Sequence, residues 1–270
     1  RINENLDYLF GKIVHSKMFL NDWNDLNKQI EIILNGIKND KKIIIPFPLL
    51  SLVDDPQKHK ENSILFANTY VPILSNNFKT KTTDNSKINI GYFSADLNAH
   101  AVSQLMHKML RIHDKKKFQI FCYAFGLKKK DELHKNIEQN VDVYRDIGNI
   151  SDHEAALLAR KDKIDIAIDL QGYTGKQRSG IFANRAAPIQ INYLGYPGTM
   201  GAKFIDYIVA DENLIPEKNQ KFYSERIIYM PDSYQVQDDE LKAAEITPSK
   251  IELGLPENCF IFCAINNNYK

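Results

Sequence analysis

From Lys87 to about residue 232 the chain alternates short apolar runs with longer amphipathic ones, and few folds accept that pattern. Strands are expected at Ile88–Ser94, Phe118–Phe125, Val141–Asp146, Ile164–Leu170, Ile189–Leu194, Tyr207–Ala210 and Ile227–Met230. Helices are expected at about 101–113, 130–139, 152–161 and 177–184. Apolar strands alternating with helices predict an α/β fold with a doubly wound parallel sheet. Such sheets place ligands in the loops beyond the strand C-termini. The stretch Asp169–Thr199, DLQGYTGKQRSGIFANRAAPIQINYLGYPGT, ends two strand candidates with glycine-tyrosine turns, GYT at Gly172–Thr174 and GYPGT at Gly195–Thr199. Two such loops suggest a site made between neighbouring strands. They read equally as ordinary turns, since glycine and proline end strands everywhere.

The flanks read differently. Residues 5–38 have helical spacing, with Leu6, Leu9, Phe10, Ile13 and Val14 on one face and Leu26, Ile30, Ile33, Leu34 and Ile37 on another. Asn21 or Asp22 is the expected cap of the second helix. Ile43–Gln57 reads as extended, turning at Asp54–Pro56, and a third helix is expected at about 57–70. The polar run Lys79–Ser86 is the linker candidate. Gln235–Ser249 is expected to cross to a second domain, of which Lys250–Lys270 would hold the first helix end and, at Phe260–Ile265, the first strand. The expected division is a helical segment and linker at 1–86, a Rossmann-like domain at 87–234, and the start of a second at 235–270. A chain that begins at Arg1 and stops just after a strand candidate reads as a fragment.

Composition narrows the function classes. Hydrophobic residues are 43% and charged residues 26%, with a formal net charge of +1, so no nucleic-acid partner is implied. No apolar run approaches the roughly 18 residues of a membrane span. Cys122, Cys259 and Cys263 lie in strand-like apolar surroundings with no metal-ligand spacing, so buried free thiols and a reducing cytoplasm are expected.

Several residues near the expected ligand edge can carry chemistry. In SADLNAHAVSQLM, Ser94–Met106, His100 falls at or just before a helix start. Free amides and partial positive charge there suit an anion and favour a neutral, base-competent imidazole. A histidine merely capping its own helix explains the position as well. His107 and His113 are expected to face solvent, and His15, His59, His134 and His153 sit in polar helical contexts. Asp169 ends its strand facing the ligand edge, after Asp162 and Asp165. The chain holds no Asp-x-Asp pair, which leans toward a metal-free mechanism if the ligand is a nucleotide. It also holds no Walker loop, no Gly-x-Gly-x-x-Gly fingerprint after a strand and no Gly-x-Ser-x-Gly elbow.

Longer motifs are more specific. GYFSADLNAHAVSQLM, the stretch from DLQGYTGKQ to DYIVADENLIP, YSERIIYMPDSYQ and LGLPENCFIFCAINNNYK resemble the bacterial members of the O-linked N-acetylglucosamine transferase family, the family-41 glycosyltransferases, with their SPINDLY-like relatives. The match in order and spacing runs from about Ile88 to Lys270. LDYLFGKIVHSKMFLNDWNDL and PFPLLSLVDDP resemble the stretch joining tetratricopeptide repeats to the catalytic region.

The resemblance implies a GT-B fold, two Rossmann-like domains facing across a cleft, with the second truncated here. It implies inverting, metal-independent transfer of a sugar from a nucleotide donor, UDP-GlcNAc in the first instance, to serine or threonine of an acceptor protein, with no cofactor. His100 falls on the family's cleft histidine, discussed as a base, and Asp162 near an acidic position proposed to relay the proton. Gly172, Tyr173 and Thr174, with Gly195, Tyr196, Pro197, Gly198 and Thr199, fall on loops lining the acceptor and sugar side. Lys270 falls on the lysine contacting the donor diphosphate, and Asn267 where nucleotide contact is expected. Because that pocket belongs mostly to the second domain, these 270 residues alone are not expected to turn over. Competing readings are a nucleotide-sugar epimerase-like enzyme, a non-catalytic repeat-containing binding module and a bare flavodoxin-like receiver.

Overall fold

Seven parallel strands form the sheet that organises the chain, in a computed structural model describing residues 6–70, 86–126, 131–240, 242, 245–264 and 266. Four helices come first: α1 Leu9–Phe19, α2 Leu26–Lys38, α3 Pro46–Leu52 and α4 Pro56–Ala67. Then follow β1 Ile88–Ser94, α5 Ala101–Ile112, β2 Phe118–Ala124, α6 Glu132–Asn140, β3 Val143–Asp146, α7 Asp152–Lys161 and β4 Ile166–Asp169. The series ends with α8 Gly180–Ala183, β5 Ile189–Asn192, β6 Tyr207–Ala210, a 3₁₀ turn at Glu217–Phe222 and β7 Arg226–Tyr229.

The strand order is β3-β2-β1-β4-β5-β6-β7. The chain winds outward from β1 through β2 to β3, then returns to place β4 on the other side of β1, in register Ile90 to Ile166 and Phe93 to Asp169. That reversal is a topological switch point, and it puts the ligand crevice beyond the C-terminal ends of β1 and β4. Period-two alternation sends successive side chains to opposite faces. Phe93, Phe121 and Tyr123 join a core with α7 and α8. Ile90, Tyr92, Ile120 and Cys122 join another with α5 and α6. On the first face, Ala155, Ala156 and Ala159 present only methyl groups to the sheet, so α7 packs close to it.

Every expected strand between 88 and 230 is present within three residues of its expected ends. Elsewhere the structure corrects the sequence reading. Ile43–Gln57 contains α3 rather than an extended run: Pro46 stands at the first helical position and Pro48 in the same turn, where a missing N–H costs nothing. The second helix begins after Asp25, with no side-chain cap; Asp22 instead accepts the Asn24 amide within its own turn. The helix expected at 177–184 shrinks to Gly180–Ala183, because Lys176 takes a left-handed φ of 59° and Arg178 turns sideways to Asp152 and the Ile147 and Ile150 carbonyls.

The described part of Phe260–Ile265 is not a strand: Phe260 and Phe262 are exposed, and a ladder needs a neighbour to pair with. Cys122 is buried, but Cys259 and Cys263 are exposed, since they lie just before and within that unpaired stretch. Neither His107 nor His113 is free in solvent: His107 faces Asp238 at 3.2 Å, and His113 Nε2 lies 2.9 Å from the Tyr92 hydroxyl.

Candidate active site

Three loops meet at the switch point: Ser94–His100 after β1, Gln171–Gly175 after β4, and Leu194–Thr199 after β5. Local chemistry shapes each. Asp169 ends β4 and turns its carboxylate onto the chain ahead, where Oδ1 accepts the Gln171 amide at 2.9 Å and the Gly172 amide at 3.0 Å. Gly172 then adopts φ 51°, and a Cβ on it would stand 2.4 Å from the Tyr196 Cβ. In the facing turn, a Cβ on Gly195 would stand 2.0 Å from the Leu170 carbonyl oxygen. The Asn192 side-chain amide donates to the Tyr196 carbonyl at 2.9 Å. Gly172 thus packs on the Tyr196 side chain and Gly195 on the backbone ahead of the GYT turn, each too close for a Cβ.

The residues of these turns divide by what they face. Tyr173 and Tyr196 are 2% and 1% exposed, with ring centroids 5.6 Å apart. The Tyr173 hydroxyl donates to the Met200 carbonyl at 2.8 Å, and burial pushes both phenols above their usual range. They pillar the turns from beneath. Gly198 is buried against the Tyr196 ring, where a Cβ would meet the hydroxyl at 2.7 Å. Thr199 is buried too and donates to Glu225 Oε2 at 2.6 Å. Glu225, itself buried, also accepts the Met200 and Ser224 amides, and burial raises its carboxyl despite those donors. Only Thr174, Gly195 and Pro197 of the eight turn residues remain half-exposed. Asp169, expected to face the ligand edge, is 2% exposed, and burial lifts its pKa to about 6 against the pull of its two amide donors.

Gln171 joins the loops across the switch point. Its Oε1 accepts the Ala95 amide at 3.1 Å. Its Nε2 reaches Asp96 Oδ2 at 3.0 Å, Thr174 Oγ1 at 2.9 Å and the Gly175 carbonyl at 2.8 Å. Asp96 leads on to His100, whose Nδ1 lies 3.7 Å from Asp96 Oδ2. His100 caps α5 with the same atom: Nδ1 accepts the Val102 amide at 3.3 Å, and the side chain is 46% exposed. Capping and access to ligand therefore coexist at His100. A neutral ring capping in this way carries its proton on Nε2 and presents an N–H outward.

The structure brings His100 and the two turns to one edge but leaves Asp162 at the other. Asp162 ends α7 ahead of β4; Arg145 pairs with its carboxylate at 2.9 and 3.1 Å and the Tyr123 hydroxyl donates at 2.9 Å. Asn267 and Lys270 lie outside the described residues. Sequence reasoning missed Asp96, Gln171 and Glu225. Asp96 and Gln171 had a usable signal, since each lies in the loop just after a strand at the switch point; nothing in YSERIIY marks Glu225 as buried. No group of three or more His, Cys, Asp or Glu that could hold a metal occurs among the described residues.

The model of the family described as glycosyl transferase family 41 matches residues 67–242, which hold the whole sheet and all three loops. The chain belongs to that family. A probable UDP-N-acetylglucosamine–peptide N-acetylglucosaminyltransferase, SEC, of Arabidopsis thaliana is 32% identical over 94% of this chain and 27% of its own length. A UDP-N-acetylglucosamine–peptide N-acetylglucosaminyltransferase of Caenorhabditis elegans is 28% identical over 91% of this chain and 23% of its own. An O-GlcNAc transferase mutant of Thermobaculum terrenum superposes with a TM-score of 0.65 at 25% identity, covering 84% of this chain and 44% of that one. The chain thus spans about a quarter of the length of these two curated relatives. Its sheet is one Rossmann-like half of the GT-B arrangement that the family resemblance implied.

Proposed function

We propose that this chain is the acceptor-side half of a protein O-glycosyltransferase that moves N-acetylglucosamine from UDP-GlcNAc to serine or threonine hydroxyls, with inversion and without a metal or cofactor. The observation that carries the reading is the juxtaposition of His100 with the two packed glycine-tyrosine turns across the switch point of a family-41 sheet. Backbone at Gly195 and the half-exposed Thr174 and Pro197 form the wall against which sugar and acceptor lie. Tyr173, Tyr196, Gly198 and Thr199 hold that wall in shape from within. Negative charge builds on the departing diphosphate, and Lys270, with Asn267 beside the nucleotide, answers it from the second domain. Asp162 serves the fold through Arg145 and Tyr123 rather than the reacting atoms.

No described helix is long and apolar enough to cross a membrane. Free thiols at Cys122, Cys259 and Cys263 suit a reducing cytoplasm, where acceptor proteins would be met and tetratricopeptide repeats upstream would select them. The test is incubation of the full-length protein with UDP-GlcNAc and candidate acceptors, read by mass spectrometry of modified serines and threonines. Lys270→Ala is expected to lower kcat about 10²–10³-fold, the cost of losing one donor to a developing anion. Sugar turnover with no acceptor present, or none at all with any nucleotide sugar, would overturn the reading.

A further inference from the structure

We infer that Asp96 is a positioning residue that decides which ring nitrogen of His100 carries the proton, and so converts a helix cap into a base. The inference rests on the transferase reading above. One atom is contested. His100 Nδ1 accepts the Val102 amide at 3.3 Å, a long hydrogen bond, while Asp96 Oδ2 waits 3.7 Å from the same nitrogen. These partners demand opposite protonation. The Val102 N–H needs a lone pair on Nδ1, which leaves the proton on Nε2 and makes the outward nitrogen a donor. The Asp96 carboxylate needs a proton on Nδ1, which leaves a lone pair on Nε2 and makes the outward nitrogen an acceptor. Closing 3.7 Å to hydrogen-bond length takes a ring movement of about 1 Å.

Asp96 is held for this purpose. Its side chain is 15% exposed, and Oδ2 already accepts from Gln171 Nε2 at 3.0 Å. A carboxylate oxygen takes two donors, so Gln171 can fix it while Nδ1–H uses the second lone pair. The Asp96 carbonyl is tied to the Ser103 hydroxyl at 2.6 Å and its amide to the Ser94 hydroxyl at 2.9 Å. The backbone that carries the carboxylate is thus anchored to both β1 and α5, and Gln171 holds the carboxylate itself. Gln171 also contacts Thr174 and the Gly175 carbonyl, with only two N–H protons for three acceptors. Asp96 is thereby linked to the turn that faces the substrate.

With Asp96 engaged, His100 Nε2 can take a proton. The acceptor hydroxyl oxygen forms a bond to the anomeric carbon as its proton passes to His100 Nε2. The bond from that carbon to the donor phosphate oxygen breaks, and the nucleotide diphosphate leaves with the electron pair. His100 becomes imidazolium, its Nδ1–H still directed at Asp96.

The experiment reads the ring and not the reaction. In protein labelled with ¹⁵N-histidine, without donor or acceptor, the His100 nitrogens report both tautomers in exchange. Asp96→Ala is expected to leave only the form protonated on Nε2. Val102→Pro deletes the competing amide in the first helical turn, where proline is tolerated, and is expected to drive the ring to the form protonated on Nδ1. Opposite shifts in the two variants support the inference. A tautomer ratio unchanged by both, or moved the same way by both, overturns it. In the full-length enzyme Asp96→Ala is expected to lower kcat about 10²-fold with the donor KM unchanged, the scale of a general base. Intact tautomer shifts in a protein that transfers no sugar would reject the transferase reading and leave the role of Asp96 in setting the tautomer standing.

Discussion

Asp169 shows how much a single residue beneath the site can govern. It lies at the end of β4 with its carboxyl buried, and burial lifts its pKa to about 6 from a usual 3.8. A folded-state pKa above the unfolded value means the folded protein binds the extra proton. The contribution of Asp169 to stability is therefore fullest below about pH 4, falls as pH rises toward 6 and is level above. Asp169→Asn removes this decline. The amide keeps an acceptor for the Gln171 and Gly172 N–H groups and adds a donor beside Asn192, its register partner, whose Oδ1 is buried without a hydrogen bond. Relative to the parent, the variant is expected to gain up to about 3 kcal/mol between pH 4 and 8, two pKa units' worth. Urea melts across that range measure it, and a pH-independent difference would sink the assignment. Gly172→Ala tests the same turn by shape: a left-handed φ costs an alanine about 1–2 kcal/mol, before its Cβ meets Tyr196. The DLQGYT string announces an aspartate-led turn, so the turn was legible. That its tyrosine points inward was not, because the burying partners, Phe66 at 4.8 Å and Tyr196, lie far off in the chain.

Among elements, α7 and α3 mark the two extremes of legibility. The run NISDHEAALLARK states its own helix: Ser151 caps, Glu154 answers it three residues on, and the small alanines repeat on one face. The reciprocal bonds are present, with the Glu154 amide donating to Ser151 Oγ at 3.2 Å and the Ser151 amide to Glu154 Oε2 at 2.8 Å. Ser151→Ala is expected to cost about 1 kcal/mol in denaturant unfolding, and a neutral result would refute the cap. PFPLLSL gives the opposite impression, since two prolines in three residues suggest an extended chain; only their confinement to the first turn permits a helix. In the polar stretch after β7, expected to cross to a second domain, Asp238, Asp239 and Glu240 lie against His107, Lys108 and Arg111 of α5. Alternating charge on two distant segments cannot reveal such pairing from sequence. Lys108→Glu with Arg111→Glu is expected to speed protease cleavage near residue 240 while the global unfolding midpoint barely moves. Unchanged cleavage would show that the buried Asp238, with Tyr234 and Val236 packed on the core, holds this segment without those ion pairs.

At the scale of the whole molecule, the helices before the sheet are less separate than the sequence division at residue 86 suggests. The alternating pattern located the sheet because periodicity is a local property; the docking of α3 and α4 depends on contacts between distant residues. Helix α3 faces two ways, with Leu49 in the helical core of Val14, Ile33 and Ile37, and Phe47 and Leu50 against the sheet core. Helix α4 lies against the loop after GYPGT so closely that a Cβ on Gly201 would meet the Ile64 amide at 2.5 Å. Phe66 then joins the parts, edge-on to Tyr8 at 5.4 Å and to Tyr173 at 4.8 Å. The wall of the proposed cleft is thus braced by the helical segment, and the two should unfold as one cooperative unit. The chain's single tryptophan, Trp23, lies between α1 and α2 and reports the helical part, while circular dichroism reports the whole. The two probes are expected to give one midpoint in urea. Phe66→Ala should shift both together by about 3 kcal/mol, the low end for a core phenylalanine. A tryptophan transition that separates from the circular dichroism transition already in the parent protein would show instead that the helices fold apart, and that the GYT turn holds its shape without them.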